Sequence, residues 1–431
     1  MSDILTVNEA SLTAIADEIR KKTGKKDKIK FPAGFVSEID SIQTGGGSAP
    51  AEEIKEKDVN FFDYDGTLIA SYTETEAKAL TSLPTPPVHS GLVFQGWNYT
   101  LEEVITNAEM ADIGALYTTD DGATRLEIEI ASESRKTIQI NFSQNKAAGV
   151  LIDWGDGESE RSYNVADTTA SATHEYGAAG HYTITLTVDD DCEIALGKYS
   201  GGIIPTIGTS GCVYQSELLA VHIGNGVTKL NNGAFKRCYQ LTKISISKSL
   251  TAIAEECFYP SGIRYITIPA GIDTINYDTF DGCNALKNIS LPPSVQTIGQ
   301  NAFRDCFSLE RIDLKNVNNP GDYAFYDCYS LTEAVINADV TYLPGSLFNQ
   351  CRSLVDVEFL GKVKMIYSNL LYGCGSLKKV DFTHCTAVPT AQSNIFYGYP
   401  SDMEILVPAD LVDEWKAATN WTTYASKIKG V

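Results

Sequence analysis

Three features of this 431-residue chain predict a multidomain, mainly β protein. The second half repeats itself seven times. A block of alternating, β-branched segments precedes the repeats. A Gly/Ser-rich break lies near the N-terminus. The repeats predict a C-terminal solenoid and the block a β-sandwich. The break sets off a small N-terminal helical module, and a small α+β module fills the remaining interval. The length allows about three domains at the usual size of about 100–200 residues each.

The helical module is assigned to residues 1–43. Leu12, Ile15, Ala16 and Ile19 fall at helical spacing, with Asn8 or Ser11 as the N-cap. Gly24, Pro32 and Gly34 end that helix, and "FVSEIDSI" can form one more short one. So few residues cannot bury a substantial core, which predicts a docking piece that needs a partner. The linker spans 44–53 and contains "TGGGSAP", a flexible composition.

The α+β module covers 54–118. A strand is expected over "VNFFDYDG", a helix from Thr75 to Thr81, a loop, and a second helix in "TLEEVITNAEM". The run Asp63-Tyr-Asp65-Gly-Thr-Leu resembles the nucleophile motif of haloacid-dehalogenase phosphatases. That resemblance implies attack on phosphorus by Asp63, proton handling by Asp65, and a magnesium ion between them. The family needs a doubly wound parallel sheet as well, and about sixty residues leave no room for one. Asp120 and Asp121 fall in a turn and do not supply its late acidic pair. The motif is therefore expected to be a hairpin turn at Asp65-Gly66. No catalytic, cofactor-binding or metal-binding residue is assigned, and no enzymatic activity is expected.

Residues 124–190 carry "RLEIEIA", "KTIQINFS", "GVLIDWGDG" and "HYTITLTV", strands separated by turns. The Asp153-Trp-Gly-Asp156-Gly turn followed by "HEYGAAGHYTITLTV" resembles the polycystic-kidney-disease (PKD) domain. That resemblance implies an immunoglobulin-like sandwich serving as a spacer or adhesive module. Asp153 and Asp156 can be read as calcium ligands. The plainer reading, a tight turn at Asp156-Gly157, is preferred.

The repeat is assigned to 203–425. Phe235, Phe258, Phe280, Phe303, Phe325 and Phe348 recur every 22 or 23 residues, with Leu371 next in register. Cys238, Cys283, Cys306, Cys328, Cys351 and Cys374 keep the same beat, as do Leu241, Leu286, Leu309, Leu331, Leu354 and Leu377. A short strand follows each Leu. "VQTIGQNAFRDCFSLERIDL" resembles the BspA-like class of leucine-rich repeats. Stacked units would bury one continuous core, with their strands in a single parallel sheet. Neighbouring strands sit within disulfide reach. Parallel side chains and a reducing compartment nevertheless favour buried thiols. Trp415 and Trp421, beyond the last repeat, are expected to cap it.

With 34 Lys plus Arg against 55 Asp plus Glu, the net charge is −21. Nucleic acid and anionic membranes are poor partners for such a chain. No run is long enough to span a membrane. The start lacks a secretory signal, so the ten Cys are expected to stay reduced.

Residues 1–118 also resemble modules of tail-associated proteins from phages and prophages of Gram-positive bacteria. This implies a non-enzymatic virion protein assembled in the host cytoplasm. Its N-terminal region would attach to other tail or capsid proteins, and its repeats would bind a host cell-surface glycan or protein. A bacterial surface adhesin and a particle scaffold are the alternatives. No heptad run dictates a trimer, which leaves homo-oligomerisation open.

The candidate receptor-binding face is the outward side of the repeat strands: Lys243, Tyr265, Asn288, Arg311, Asp313, Glu358, Lys379 and Asp381. Tyr265 and Arg311 would be its anchors. Any solvated sheet face would look similar, and that reading stands beside the first.

Overall fold

The computed structural model describes residues 57–132, 136–163, 169–197, 203, 217–337 and 339–431. The chain divides into two units, Met1–Glu53 and Ile54–Val431. The helical module and linker expected over 1–53 lie outside the described residues.

The α+β module has four strands: β1 (Val59–Phe62), β2 (Leu68–Tyr72), β3 (Leu92–Trp97) and β4 (Ala111–Thr119). Their order is β2-β1-β4-β3. β1 runs antiparallel to β2 and parallel to β4, and β3 runs antiparallel to β4. Two short helices, α1 (Glu74–Lys78) and α2 (Leu101–Thr106), each start at a capping box, Thr73 with Glu76 and Thr100 with Glu103. α1 is shorter than expected and begins one residue earlier. Val59, Phe61, Tyr99, Val104 and Ile113 form a small core of their own.

The DYDGTL run is the hairpin between β1 and β2. Asp63 N donates to Thr67 O (2.8 Å), and Gly66 N donates to Asp63 O (3.0 Å). The Asp65 carboxylate accepts from Thr67 N at 3.0 Å, and Gly66 takes a φ of +87°, where a side chain would be strained.

The sandwich uses β5 (Thr124–Ile130), β6 (Thr137–Gln144), β7 (Val150–Asp153), β8 (Ser159–Ser162), β9 (Thr169–Glu175), β10 (Gly180–Val188) and β11 (Ile194–Leu196). Alternate residues point inward, as a half-buried strand requires: Leu126, Ile128 and Ile130 from β5, and Ile138, Ile140 and Phe142 from β6. Neither sheet ends at the sandwich. β5 pairs antiparallel with β12 (Leu218–His222), which pairs parallel with β14 (Lys243–Ser245). β11 pairs parallel with β13 (Val227–Leu230), which pairs with Ala252–Ile253. Both sheets thus pass into the first repeats, and one hydrophobic core extends from Leu116 to Ile428.

The single parallel sheet expected for the repeats is replaced by two narrow parallel ribbons. One is interrupted: Tyr265–Thr267 pairs with Asn288–Ser290, and a continuous run resumes from Glu333–Ile336 through Asp356–Phe359, Lys379–Asp381 and Glu404–Val407 to Ile428–Gly430. The other consists of two-residue strands such as Thr274–Ile275, Thr297–Ile298 and Asn319–Pro320. Strands so short cannot hold a sheet alone; the core between the ribbons holds them.

That core is laddered. The rings of Phe235, Phe258, Phe280, Phe303, Phe325 and Phe348 stack at 5.2–5.4 Å, near the interstrand spacing. Each Phe N–H donates to the next repeat; Phe280 N, for instance, bonds Ala302 O at 2.8 Å. Left-handed residues flank the ladder. Gly233, Glu256, Asp278, Asn301, Tyr323, Ser346 and Asn369 precede their Phe or Leu by two, and Arg237, Gly282, Asp305, Asp327, Gln350 and Gly373 follow by two. Gly, Asn and Asp recur there because they tolerate positive φ best. The array ends under a cap. Trp415 and Trp421 are fully buried, their rings 4.4 Å apart, and both rest on Phe382.

Candidate binding surfaces of the solenoid

The expected receptor face is not one open surface. The α+β module lies on its N-terminal half. Asn98 bridges two strands, its amide donating to Ile268 O (3.0 Å) and Ser290 Oγ (2.8 Å) while its carbonyl accepts from Gly114 N (2.8 Å). Tyr99 Oη donates to Leu291 O at 2.7 Å. Gln95 Oε1 accepts from Lys248 N at 2.8 Å. Gly114 of β4 presses so closely that a Cβ there would meet Thr267 Oγ1 at 2.1 Å. Phe62 packs on the Tyr265 ring, centroids 5.4 Å apart.

Four of the eight candidates are therefore corrected. Tyr265 and Asn288 are buried beneath the module. Arg311 turns to it, Nη1 donating to Lys57 O (3.1 Å) and Nε lying 3.2 Å from Asp112 Oδ2. Asp313 is buried and holds a turn, accepting from Lys315 N at 3.0 Å, and its burial raises the carboxyl pKa. Asp381 has the same local job, accepting from Thr383 N (2.9 Å) and Thr383 Oγ1 (2.7 Å), but is half-exposed. Lys243 is exposed, and Glu358 and Lys379 are half-exposed. The open stretch of the strand face is thus its C-terminal one, lined by acidic and basic side chains.

The two motif-bearing turns elsewhere are engaged in structure. Asp63 is buried, its Oδ2 2.7 Å from His89 Nε2. In the sandwich, Asp153 accepts from Gly155 N (2.9 Å) and Asp156 from Glu158 N (3.1 Å). Asp156 Oδ2 lies 2.7 Å from His174 Nε2, and His174 stacks on Trp154. Tyr176 Oη closes the cluster on Trp154 O at 2.8 Å. These contacts agree with the turn reading of Asp153 and Asp156. Among the described residues, no group of His, Cys, Asp and Glu is arranged to hold a metal ion.

The Cys ladder has a role that spacing alone did not reveal. Cys283, Cys306, Cys328, Cys351 and Cys374 each point Sγ at the carbonyl of the preceding repeat's Phe, all at 3.1 Å. Burial pushes the Cys283 and Cys374 thiols up to about 12, so each remains an S–H donor. All nine described cysteines are free and buried.

A second surface was not singled out from the sequence: the turns that follow each Phe. Phe307 and Tyr329 stack there at 4.8 Å, with the Arg352 guanidinium 4.6 Å above Tyr329. Tyr372 and Tyr397 stack at 4.8 Å, and Lys236 sits 5.0 Å over Tyr259. Tyr239, Phe307 and Tyr397 are 51%, 36% and 59% exposed. The readable signal was a large aromatic or Arg one or four positions after the Phe.

The BspA-type leucine-rich repeat profile matches in two overlapping stretches, residues 206–328 and 283–404, with six copies. Among solved structures, a leucine-rich repeat protein of Bacteroides ovatus is 20% identical over 49% of this chain and 66% of its own length, with a TM-score of 0.34. The T. pallidum leucine-rich repeat protein is 21% identical over 48% and 84%, TM-score 0.34. One from Eubacterium ventriosum is 17% identical over 52% and 82%, TM-score 0.26. A search of curated proteins finds no match. The ladder geometry and the matched profile agree: residues 206–404 are a BspA-type leucine-rich repeat region.

Proposed function

We propose that the chain is a non-catalytic adhesion protein that binds a cell-surface macromolecule through the turn side of its solenoid. The carrying observation is the pair of aromatic stacks on that side, Phe307 on Tyr329 and Tyr372 on Tyr397, each with one exposed and one half-exposed ring, and Arg352 over Tyr329. Aromatic and Arg side chains are the usual anchors of interfaces. The strand face contributes its open C-terminal stretch. The PKD resemblance of residues 124–190 supports a spacer that presents the repeats.

The resemblance of residues 1–118 to tail-associated modules supports a virion as carrier, attached through the N-terminal region to other tail or capsid proteins. The repeat profile fits a bacterial surface adhesin equally well. Mass spectrometry of purified particles against the host envelope separates the two carriers.

The purified full chain should adsorb to host cells and compete with the particle or cell that carries it. Phe307→Ala with Tyr397→Ala should weaken adsorption without lowering the melting temperature. A wild-type chain that does not adsorb would remove the adhesive reading. No magnesium-dependent turnover of a phosphate ester is expected, and Asp63→Asn should alter only local stability.

A further inference from the structure

One repeat departs from the others. "FYPSGI" at Phe258–Ile263 is one residue shorter than "FDGCNAL" at Phe280–Leu286. Ser261 stands in the Cys position, its Oγ 3.5 Å from Cys283 Sγ, and Ile263 takes the place of the Leu. The shortened turn recedes. No side chain can fill the notch from Gly262, because a Cβ there would lie 2.1 Å from Tyr239 O. What remains is a groove of about 410 Å³, lined by Tyr239, Tyr259, Asp281, Asn284, Arg304 and Phe307 among others.

Asp281 is the telling group. It is 5% exposed and lines the groove, yet its carboxylate makes no hydrogen bond among the described residues. Its oxygens face the open groove, where water or a ligand hydroxyl can bond them. Burial and neighbouring Asp278 push its pKa up to about 7, with Arg304 opposing. Near neutral pH it can therefore accept or donate.

We propose that this groove binds a neutral pyranose ring of a glycan. This rests on the adhesion reading and names its ligand class. The lining decides the chemistry. A cationic ligand would meet Arg304, and an anionic one would meet Asp281 and Asp305. A ring bearing hydroxyls offers donors and acceptors to both signs and to the Asn284 amide. Its C–H faces match the apolar faces of Tyr239 and Phe307, which stand exposed at the groove. The volume lies within the range of about 300–1,000 Å³ usual for small-molecule sites. The Phe307–Tyr329–Arg352 stack extends from the groove along the array and provides a path for further sugar units.

The test is saturation-transfer NMR and titration with the full chain. The probes are methyl α-glucopyranoside, methyl β-galactopyranoside, maltotriose and N,N′-diacetylchitobiose; tetramethylammonium and glucose 6-phosphate are the charged controls. At least one neutral saccharide should show transfer to its ring protons. Tyr239→Ala with Phe307→Ala, and separately Asp281→Ala, should weaken that binding at least tenfold. Tyr239 and Phe307 are surface residues, so the double variant should melt with the parent. No transfer from any neutral probe, transfer unaffected by the double variant, or binding of the charged controls alone overturns the proposal. Cell adsorption is measured on the same proteins. Sugar binding absent with adsorption intact removes the groove and keeps adhesion; sugar binding present with adsorption absent does the reverse.

Discussion

Arg311 of the fourth repeat and Asp112 of the α+β module meet across the join between them, Nε 3.2 Å from Oδ2, with side chains 12% and 4% exposed. Removing one partner of a buried pair strands the other charge. Arg311→Ala should therefore cost about 3–5 kcal/mol. Arg311→Ala with Asp112→Asn should recover some of that loss. Calorimetry measures the cost, and limited proteolysis within residues 57–119 reports release of the module. An Arg311→Ala protein that melts with the parent and resists protease would show that the join does not depend on this pair.

The Phe ladder predicts a packing cost. Phe303 stacks on both Phe280 and Phe325 and is fully buried. Phe303→Ala should lower stability by about 3–5 kcal/mol, measured by denaturant melts. A Phe307→Ala control, on the exposed surface, should stay close to wild type.

The thiol ladder predicts silence. Cys283, Cys306, Cys328, Cys351 and Cys374 are buried and hydrogen-bonded as thiols. Iodoacetamide at pH 8 should leave them unmodified in the native protein and alkylate them after unfolding, as read by mass spectrometry. Cys306→Val removes one of two donors to Phe280 O, which keeps the Cys283 N–H at 3.0 Å, and should cost only about 0.5–1.5 kcal/mol. Rapid native labelling would mean the ladder opens.

Asp281 predicts a pH dependence of stability. Its folded pKa is raised from 3.8 to about 7, so between these values the folded state binds more protons than the unfolded one. Its contribution to stability is then largest at low pH and falls as pH rises through roughly 4 to 7. Asp313, also raised by burial, adds the same sign. Asp281→Asn should remove its share of the decline and stabilise the protein at pH 8 by an amount on the order of a few kcal/mol. Urea melts at pH 4.5 and 8 check this; an unchanged difference between the two pH values would refute it.

The repeat was legible because its core is periodic. Phe, Cys and Leu at fixed offsets announce stacked copies of one packing, and the Phe stack places them in that register. The docked module was not legible in the same way, because no local pattern records a contact between residues far apart in sequence. A trace of it was present all the same. The covered strands carry Ser245, Tyr265, Thr267, Asn288 and Ser290, all uncharged, while the open ones carry Glu333, Asp356, Glu358 and Lys379. The charges that do lie under the module are engaged, Arg311 with Asp112 and Asp313 with Lys315 N, because a covered charge without a partner is costly. The two ribbons escaped for a different reason. Left-handed residues on both sides of most of the Phe positions, such as Asn301 and Asp305, turn the chain before a long strand can form. Asn, Asp and Gly are turn formers, but between Phe and Cys markers of so strong a period they do not stand out as turns. The aromatic groove lay hidden in one deleted residue, between Phe258 and Ile263.

The sheets shared by sandwich and solenoid carry a mechanical consequence. β5 is bonded directly to β12, with Leu126 opposite Val221 and Arg125 opposite His222, and β11 is bonded to β13. A pull directed along these strands loads their hydrogen bonds side by side, so they share the force and do not rupture in succession. Among the described residues, the path from β5 to β12 and from β11 to β13 is one of direct strand pairing. Drag on whatever the repeats hold would reach the sandwich undamped, and the tether should yield first somewhere other than this junction.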